Sequence, residues 1–159
     1  MVFAFAGHKV DMVDFKARDA EAFAAFAAET RKEIADTFGI LCRIGLMRAE
    51  HVAPLTARVH VVPLAQAAGA FGEADYIFEA LPEVLELKRA GLAEASRMAR
   101  PDTIIASTTS TILVDDMSGA VADPGRFINA HWLNPAYLVP LVELSPGALT
   151  RPETTAAIK

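Results

Sequence analysis

The sequence has few of the features that mark disulfide-rich, membrane or nucleic-acid-binding proteins. Its one cysteine, Cys42, excludes a disulfide within the chain and, among apolar neighbours, is expected to be an inert core residue. A net charge of −5 argues against a nucleic-acid-binding face, and no apolar run reaches the roughly 18 residues of a membrane span. The start, MVFAFAGHKV, lacks a basic n-region and a convincing cleavage site, so no signal peptide is predicted. We therefore expect a cytoplasmic protein without nucleic-acid or membrane partners.

The glycines also lack a familiar pattern. None of the nine glycines forms a pair at the G-x-G spacing of a dinucleotide-binding loop; Gly69 and Gly72 come nearest and are predicted to lie in a loop. A dinucleotide fold should open with a strand, a glycine-rich turn, a helix and a second strand that ends in an acid. KVDMVD, ending at Asp14, matches that second strand, and the residues before it read as the end of a helix closed by a left-handed Gly7. We expect the chain to begin inside the first helix of such a fold, unless the fold is of another kind.

What the sequence does contain is an alternation of apolar strands and amphipathic helices. With 159 residues, 53% of them hydrophobic, a single domain with a buried core is expected. Strands are predicted over 9–14, 58–62, 75–80 and 103–107, and helices over 17–45, 49–55, 83–98, 112–121 and from 152 onward. Gly39 and Gly45 indicate breaks in the long helix, and Lys88 is expected on the solvent side of the 83–98 helix. This order predicts an α/β fold with a doubly wound, mainly parallel sheet.

Polar residues follow the predicted strands at their carboxyl ends. They are Asp14, Glu83, the hydroxyl cluster Ser107–Ser110, and His131. Parallel sheets bind ligands in the crevice beyond the carboxyl ends of their strands. The coincidence predicts a functional site at that edge.

The stretch 129–143, NAHWLNPAYLVPLVE, holds a histidine and a glutamate at the ends of two apolar segments. A general base and its orienting carboxylate have this pattern. The alternative is a core histidine and a strand-end glutamate that never meet.

These motifs resemble the NAD-binding domain of the 3-hydroxyacyl-CoA dehydrogenase family, which also includes L-carnitine dehydrogenase and L-gulonate 3-dehydrogenase. The resemblance covers almost the whole chain and is densest in ADYIFEALPEVLELK (74–88), IIASTTST (104–111) and the stretch 129–143. It implies NAD-dependent oxidation of a 3-hydroxyacyl-CoA, or a related 3-hydroxy acid, to the 3-oxo compound. NPAYLVPLVEL is closer to the carnitine and gulonate branch, which puts the CoA ester in doubt as the substrate.

The resemblance implies a role for seven residues. His131 would be the general base and Glu143 its partner, while Ser110 and Asn134 would contact the substrate. The cofactor would be bound by Asp14, Glu83, Lys88 and again Ser110, and no metal is implied. Asp14 favours NAD, although Lys16 and Arg18 leave room for NADP.

Each role has a structural alternative. Asp14 could form a turn, Lys88 could be a solvated helix lysine, Ser110 could be an N-cap, and Glu83 could complement a helix dipole. His8, His51 and His60 match no functional position and are read as structural or surface residues. Trp132 and Tyr137 are expected to pack.

Compared with the family, the chain is expected to lack the first strand, the glycine-rich loop and the C-terminal helical domain for substrate binding and dimerisation. A homodimer is therefore expected only of a full-length protein. We also expect the isolated chain to bind NAD poorly and to turn over little or no substrate, because backbone amides at a helix N-terminus normally bind the pyrophosphate. The alternatives are a non-catalytic, crystallin-like scaffold and an unrelated doubly wound domain.

Overall fold

The computed structural model describes residues 1–159, which divide into two compact units, Met1–Ala67 and Ala68–Lys159. Each unit has its own sheet. The elements are, in chain order, α1 (Val2–Phe5), β1 (Val10–Asp14), α2 (Ala20–Arg43), α3 (Val52–Thr56), β2 (Val59–Pro63), α4 (Ala67–Glu73), β3 (Tyr76–Glu79), α5 (Leu85–Met98), β4 (Ile104–Ser107), α6 (Val114–Ser118), β5 (Phe127–Trp132), β6 (Val142–Pro146) and α7 (Pro152–Ala157). None of these helices combines the length and apolar character needed to cross a membrane.

The first unit pairs β1 with β2 in parallel and packs helix α2 beside them. The buried side chains of α2 recur every three or four residues, which puts them on one stripe of the helix: Ala27, Thr30, Ile34, Phe38 and Leu41. The helix continues through Gly39, so the predicted break there is wrong; a glycine costs only about 1 kcal/mol in a helix interior. Gly45 (φ +77°) follows the helix end and Gly7 (φ +100°) follows α1, and both left-handed conformations agree with the sequence pattern.

The second unit contains a four-stranded sheet in the order β3-β4-β5-β6. The first three strands are parallel, and β6 runs antiparallel to β5. This arrangement confirms the predicted α/β, mainly parallel fold. Gly69 and Gly72 do not lie in a loop as predicted: they belong to α4, whose Phe71 side chain is buried. Burial of an apolar side chain outweighs the low helix propensity of the two glycines.

The boundaries of two further helices differ from those predicted. Helix α5 begins at Leu85 rather than at residue 83, and α6 covers only Val114–Ser118 instead of 112–121. The start of α6 is delayed because backbone amides in the preceding turn bind side-chain oxygens: Ile112 N donates to Thr109 Oγ1 at 3.0 Å. Side-chain acceptors of this kind compete with helix formation.

The two faces of the second sheet differ in character. One face buries Ala106, Ile128 and Ala130 against partly buried apolar side chains that include Ile158, just after α7. On the other face, an apolar residue in each of β3, β4 and β5 is followed two residues later by a polar one. Those pairs of residues are Ile77 and Glu79, Ile105 and Ser107, and Phe127 and Asn129, all buried. The polar row therefore lies at the carboxyl edge of the parallel strands.

Candidate active site

The catalytic pair predicted from the sequence meets in the structure. His131 on β5 and Glu143 on β6 are register partners in the antiparallel ladder, and His131 Nδ1 lies 2.9 Å from Glu143 Oε2. With the carboxylate ionised, Nδ1–H donates to it, which leaves Nε2 as the free acceptor of a neutral imidazole. The His131 side chain is 24% exposed and that of Glu143 60%. A base held on one nitrogen and accessible on the other is what proton abstraction requires.

The loop from 133 to 141 connects the two strands of this pair. It begins and ends with a backbone bond from Leu133 N to Leu141 O at 3.3 Å, and the Asn134–Pro135 peptide bond is cis. Asn134 is exposed in this loop, three residues after the histidine. Trp132 packs edge-to-face against Phe78 with ring centroids 6.5 Å apart, which confirms that it is a packing residue. Asn134 is thus accessible beside the strand that ends at the histidine.

Glu83 lies between β3 and α5 and connects two loops at the carboxyl edge. Its Oε1 accepts hydrogen bonds from Thr109 Oγ1, from Thr111 Oγ1 at 2.9 Å and from Thr111 N at 3.2 Å. Hydrogen bonds lower the pKa of Glu83 to about 2. The bond from the Thr109 hydroxyl has the largest effect, and those from the Thr111 hydroxyl and from Lys88 add to it. The side chain is 39% exposed. Glu83 is therefore a partly exposed carboxylate whose charged form the surrounding donors favour, and it precedes α5 rather than lying in its first turn.

Lys88 contradicts the expectation of a solvated lysine. Its side chain is only 1% exposed, and its ammonium lies 3.0 Å from Glu79 Oε1 and 3.3 Å from Glu83 Oε2. Helical periodicity placed Lys88 on the outer side because it counts apolar residues and takes no account of a buried partner for the charge.

Glu79 is the partner that sequence reasoning missed. It ends β3, is 7% exposed, and also accepts a hydrogen bond from Ser107 Oγ at 2.5 Å. A signal was available in the sequence: a glutamate inside the apolar segment DYIFEA is rarely buried without a cation, and Lys88 follows nine residues later.

Ser110 is exposed in the turn between Thr109 and Thr111. It is not an N-cap, because the N-cap of α6 is Leu113, which makes no side-chain cap. The backbone of this turn is fixed by Asn129, whose Nδ2 donates to Thr109 O at 3.0 Å. The hydroxyl of Ser110 is thus presented to solvent by a turn that its neighbours hold in place.

Asp14 ends β1 in the first unit. Its carboxylate accepts hydrogen bonds from Lys16 N at 3.1 Å and from Arg18 Nε at 2.5 Å, and the Arg18 guanidinium stacks on Phe26 with 4.3 Å to the ring centroid. Asp14 therefore does form the turn that the structural alternative described. A carboxylate has about four acceptor positions, so the turn leaves acceptor capacity for a further donor.

Known proteins share both the sequence and the fold of this chain. L-carnitine dehydrogenase/betainyl-CoA thioesterase from Rhizobium meliloti is 48% identical over 80 residues, which are 50% of this chain and 16% of that protein. 3-Hydroxybutyryl-CoA dehydrogenase from Escherichia coli is 27% identical with a TM-score of 0.83, over 99% of this chain and 31% of that one. (S)-3-Hydroxybutyryl-CoA dehydrogenase from Ralstonia eutropha is 26% identical with a TM-score of 0.84, over 98% and 51%.

The chain thus spans between 16% and 51% of the length of these relatives, whereas the family match covers the whole chain. The model of the family described as "3-hydroxyacyl-CoA dehydrogenase, NAD binding domain" matches residues 1–159. The match confirms the resemblance seen in the sequence and NAD as the cofactor of this family of domains. The chain belongs to the family of NAD-binding domains of 3-hydroxyacyl-CoA dehydrogenases.

Proposed function

We propose that this chain provides the cofactor-binding and proton-transfer part of an NAD-dependent dehydrogenase, which oxidises a 3-hydroxyacyl-CoA or a related 3-hydroxy acid to the 3-oxo compound. The observation that supports this most is the 2.9 Å contact between His131 Nδ1 and Glu143 Oε2. His131 Nε2 takes the proton of the substrate hydroxyl, and the Glu143 carboxylate stabilises the resulting imidazolium. NAD, when bound, supplies the acceptor for the hydride that leaves the same carbon.

The acids that would hold the cofactor have the right chemistry for ribose hydroxyls. Asp14 and Glu83 are both carboxylate acceptors at, or just after, the carboxyl end of a parallel strand. Asp14 accepts two hydrogen bonds from the protein, and Glu83 Oε2 faces only Lys88, so each can accept from a further donor. Lys88 has no comparable capacity, because its ammonium already binds two carboxylates. Ser110 and Asn134 would contact the substrate, for which both are suitably exposed.

A carnitine- or gulonate-type 3-hydroxy acid is the second candidate substrate. It is favoured by the 48% identity to the carnitine enzyme over half of this chain. The proton-transfer chemistry is the same for either substrate, since both reactions convert a secondary alcohol into a ketone. The crystallin-like scaffold is a third, non-catalytic candidate, which makes no use of the paired histidine.

The test is substitution of His131→Ala, assayed with NAD and 3-hydroxybutyryl-CoA, L-carnitine or L-gulonate. NADH formation should fall at least about 100-fold, the usual contribution of a general base. Because low turnover is expected of the isolated chain, the assay is run on the chain alone and on the chain with any coding sequence that continues it in frame. His60→Ala is the matched control, since His60 also pairs with a carboxylate, Asp11, at 3.0 Å.

The outcomes separate the candidates. Turnover that survives His131→Ala would remove the general-base role. Binding of NADH without turnover of any of the three substrates, in both contexts, would favour the scaffold.

A further inference from the structure

Both carboxylate oxygens of Glu79 accept hydrogen bonds from neighbouring donors. Its Oε1 accepts from Leu81 N and from Lys88 Nζ at 3.0 Å. Its Oε2 accepts from Ser107 Oγ at 2.5 Å and from the same ammonium at 3.2 Å. Both carboxylate oxygens are therefore used, and Glu79 is too deeply buried to contact a ligand.

Lys88 is saturated in the same way. An ammonium has three protons, and here they face Glu79, the Leu81 carbonyl at 2.9 Å and Glu83 Oε2 at 3.3 Å. No proton remains for a cofactor oxygen. Lys88 can thus influence the site only through Glu83, whose carboxylate is accessible.

Hydrogen bonds and one ion pair, between Lys88 and Glu83, form a closed ring. Lys88 binds the carboxylates of Glu79 and Glu83, and the Thr109 hydroxyl donates to Glu83. The backbone N–H of Thr109 donates to Ser107 Oγ at 3.3 Å, and the Ser107 hydroxyl donates to Glu79, which closes the ring. Rings of this kind fix all their members together, because each donor is oriented by the acceptor before it. The ring fixes both the carboxylate of Glu83 and the turn that carries Ser110.

We propose that Glu79 is the positioning residue of this site: through Lys88 it sets the place of the Glu83 carboxylate, and through Ser107 it sets the turn that presents Ser110. The inference rests on the proposed function for its consequence in NAD binding. The ring itself is a property of the ligand-free chain and can be tested separately. Glu79 touches neither substrate nor cofactor in this scheme.

Glu79→Gln is the informative substitution because the shape is kept and one acceptor becomes a donor. The side-chain amide cannot accept from Ser107 Oγ on one atom and from Leu81 N and Lys88 Nζ on the other, so one side of the ring opens. The matched control is Ile128→Ala, which lowers stability by removing a buried side chain on the opposite face of the sheet. Ser107→Ala is a milder variant that opens the ring only at Ser107, in case Glu79→Gln fails to fold.

The first arm of the experiment measures amide hydrogen exchange in the ligand-free chain. In Glu79→Gln and Ser107→Ala, exchange at Thr109 and Thr111 should accelerate about tenfold or more relative to the amides of β5, the effect of losing one charge-assisted hydrogen bond. In Ile128→Ala the amides of the turn and of β5 should accelerate together. If the turn amides and the β5 amides accelerated equally in Glu79→Gln and Ser107→Ala, as they should in Ile128→Ala, the positioning role would be overturned.

The second arm titrates NADH and follows the emission of Trp132, the one tryptophan in the chain. The dissociation constant should rise about tenfold in Glu79→Gln and stay within about twofold in Ile128→Ala. Unchanged binding in Glu79→Gln would overturn the inference and leave the proposed function intact. If the unsubstituted chain binds no NADH, either alone or with any coding sequence that continues it in frame, the proposed function is contradicted. The exchange arm still decides whether Glu79 positions the site.

Discussion

Each of the two sheets contains a histidine paired across strands with a carboxylate. In the first sheet His60 Nδ1 lies 3.0 Å from Asp11 Oδ1, and in the second His131 Nδ1 lies 2.9 Å from Glu143 Oε2. In both cases the two residues are register partners. Distance and partner type therefore do not distinguish a general base from a surface ion pair.

Position along the strand does distinguish them. His60 is the second residue of β2 and its side chain is 51% exposed, whereas His131 is the fifth of six residues in β5 and is 24% exposed. Only His131 lies at the carboxyl end of a parallel strand, where open α/β sheets bind ligands. The location of the pair in the sheet therefore distinguishes the two histidines, whereas the geometry of the pair does not.

The lysines that pair with an acid of each sheet show the same contrast. Lys9 pairs with Asp11 at 3.0 Å with 59% of its side chain exposed, whereas Lys88 pairs with Glu79 at 3.0 Å almost without exposure. Burial of an ion pair costs several kcal/mol of desolvation per charge, so it persists only with near-complete hydrogen bonding. The second sheet meets this condition at the edge where the candidate site lies.

The largest effect is expected from breaking the buried pair. Lys88→Met should lower the free energy of unfolding by about 3–5 kcal/mol at neutral pH, because two carboxylates lose their shared cation. Lys9→Met, which breaks an exposed pair, should change it by no more than about 1 kcal/mol. Urea unfolding of both variants measures the difference.

The double substitution Glu79→Gln with Lys88→Met sharpens the result. Removing both charges of a buried pair is far less harmful than removing one, so the double variant should regain most of the lost stability. Equal stability losses for Lys88→Met and Lys9→Met would contradict the burial argument.

The next effect concerns the two histidine partners and is kinetic. Glu143→Gln keeps an acceptor for His131 Nδ1–H but removes the charge that stabilises the imidazolium, so turnover should fall at least about tenfold. Asp11→Asn makes the same change beside His60 and should leave turnover unchanged. The assay is the NADH formation used for His131→Ala, and equal effects of the two substitutions would erase the distinction between the pairs.

Sequence reasoning located the elements and the pair, because both depend on local pattern. Strand alternation placed β1 to β4 within one or two residues, and the two apolar segments around His131 and Glu143 became adjacent antiparallel strands. The antiparallel direction of β6 was not predicted. It follows from the loop from 133 to 141, which is too short for the crossover that a parallel connection requires.

The buried network could not be read from periodicity. Lys88 lies on a helix, Glu79 on a strand and Ser107 on another strand, and only the fold brings them to hydrogen-bond distance. A pattern that ranks residues by polarity puts such a lysine in solvent. The functional roles of His131, Glu143 and the other site residues stay predictions. For Ser110, Asn134 and Asp14 the positions are compatible with ligand contacts and with ordinary turns alike.

The smallest expected effect is a pH dependence of stability that arises from Glu83, in the second unit. The bonds from Thr109, Thr111 and Lys88 lower the pKa of Glu83 from 4.5 to about 2, so the folded state favours the carboxylate. A depressed folded-state pKa contributes stability that is present above the unfolded value and is lost as the pH falls from about 4.5 toward 2. Because Glu83 is 39% exposed, the contribution should not exceed about 1 kcal/mol.

Thr111→Val removes one of the hydroxyl donors to Glu83, and Thr111→Ser keeps it. The valine variant should therefore be less stable than the unsubstituted chain near neutral pH and should converge with it near about pH 2. The serine variant should follow the unsubstituted chain throughout. Urea unfolding at several acidic pH values measures the free energy of unfolding of each variant. Arginines also lower the pKa values of Asp102 and Asp123, but these acids titrate alike in all variants, so their contribution cancels in the difference between two variants. A constant gap between the valine variant and the unsubstituted chain down to the lowest pH would show that the hydroxyl packs the turn without stabilising the Glu83 carboxylate.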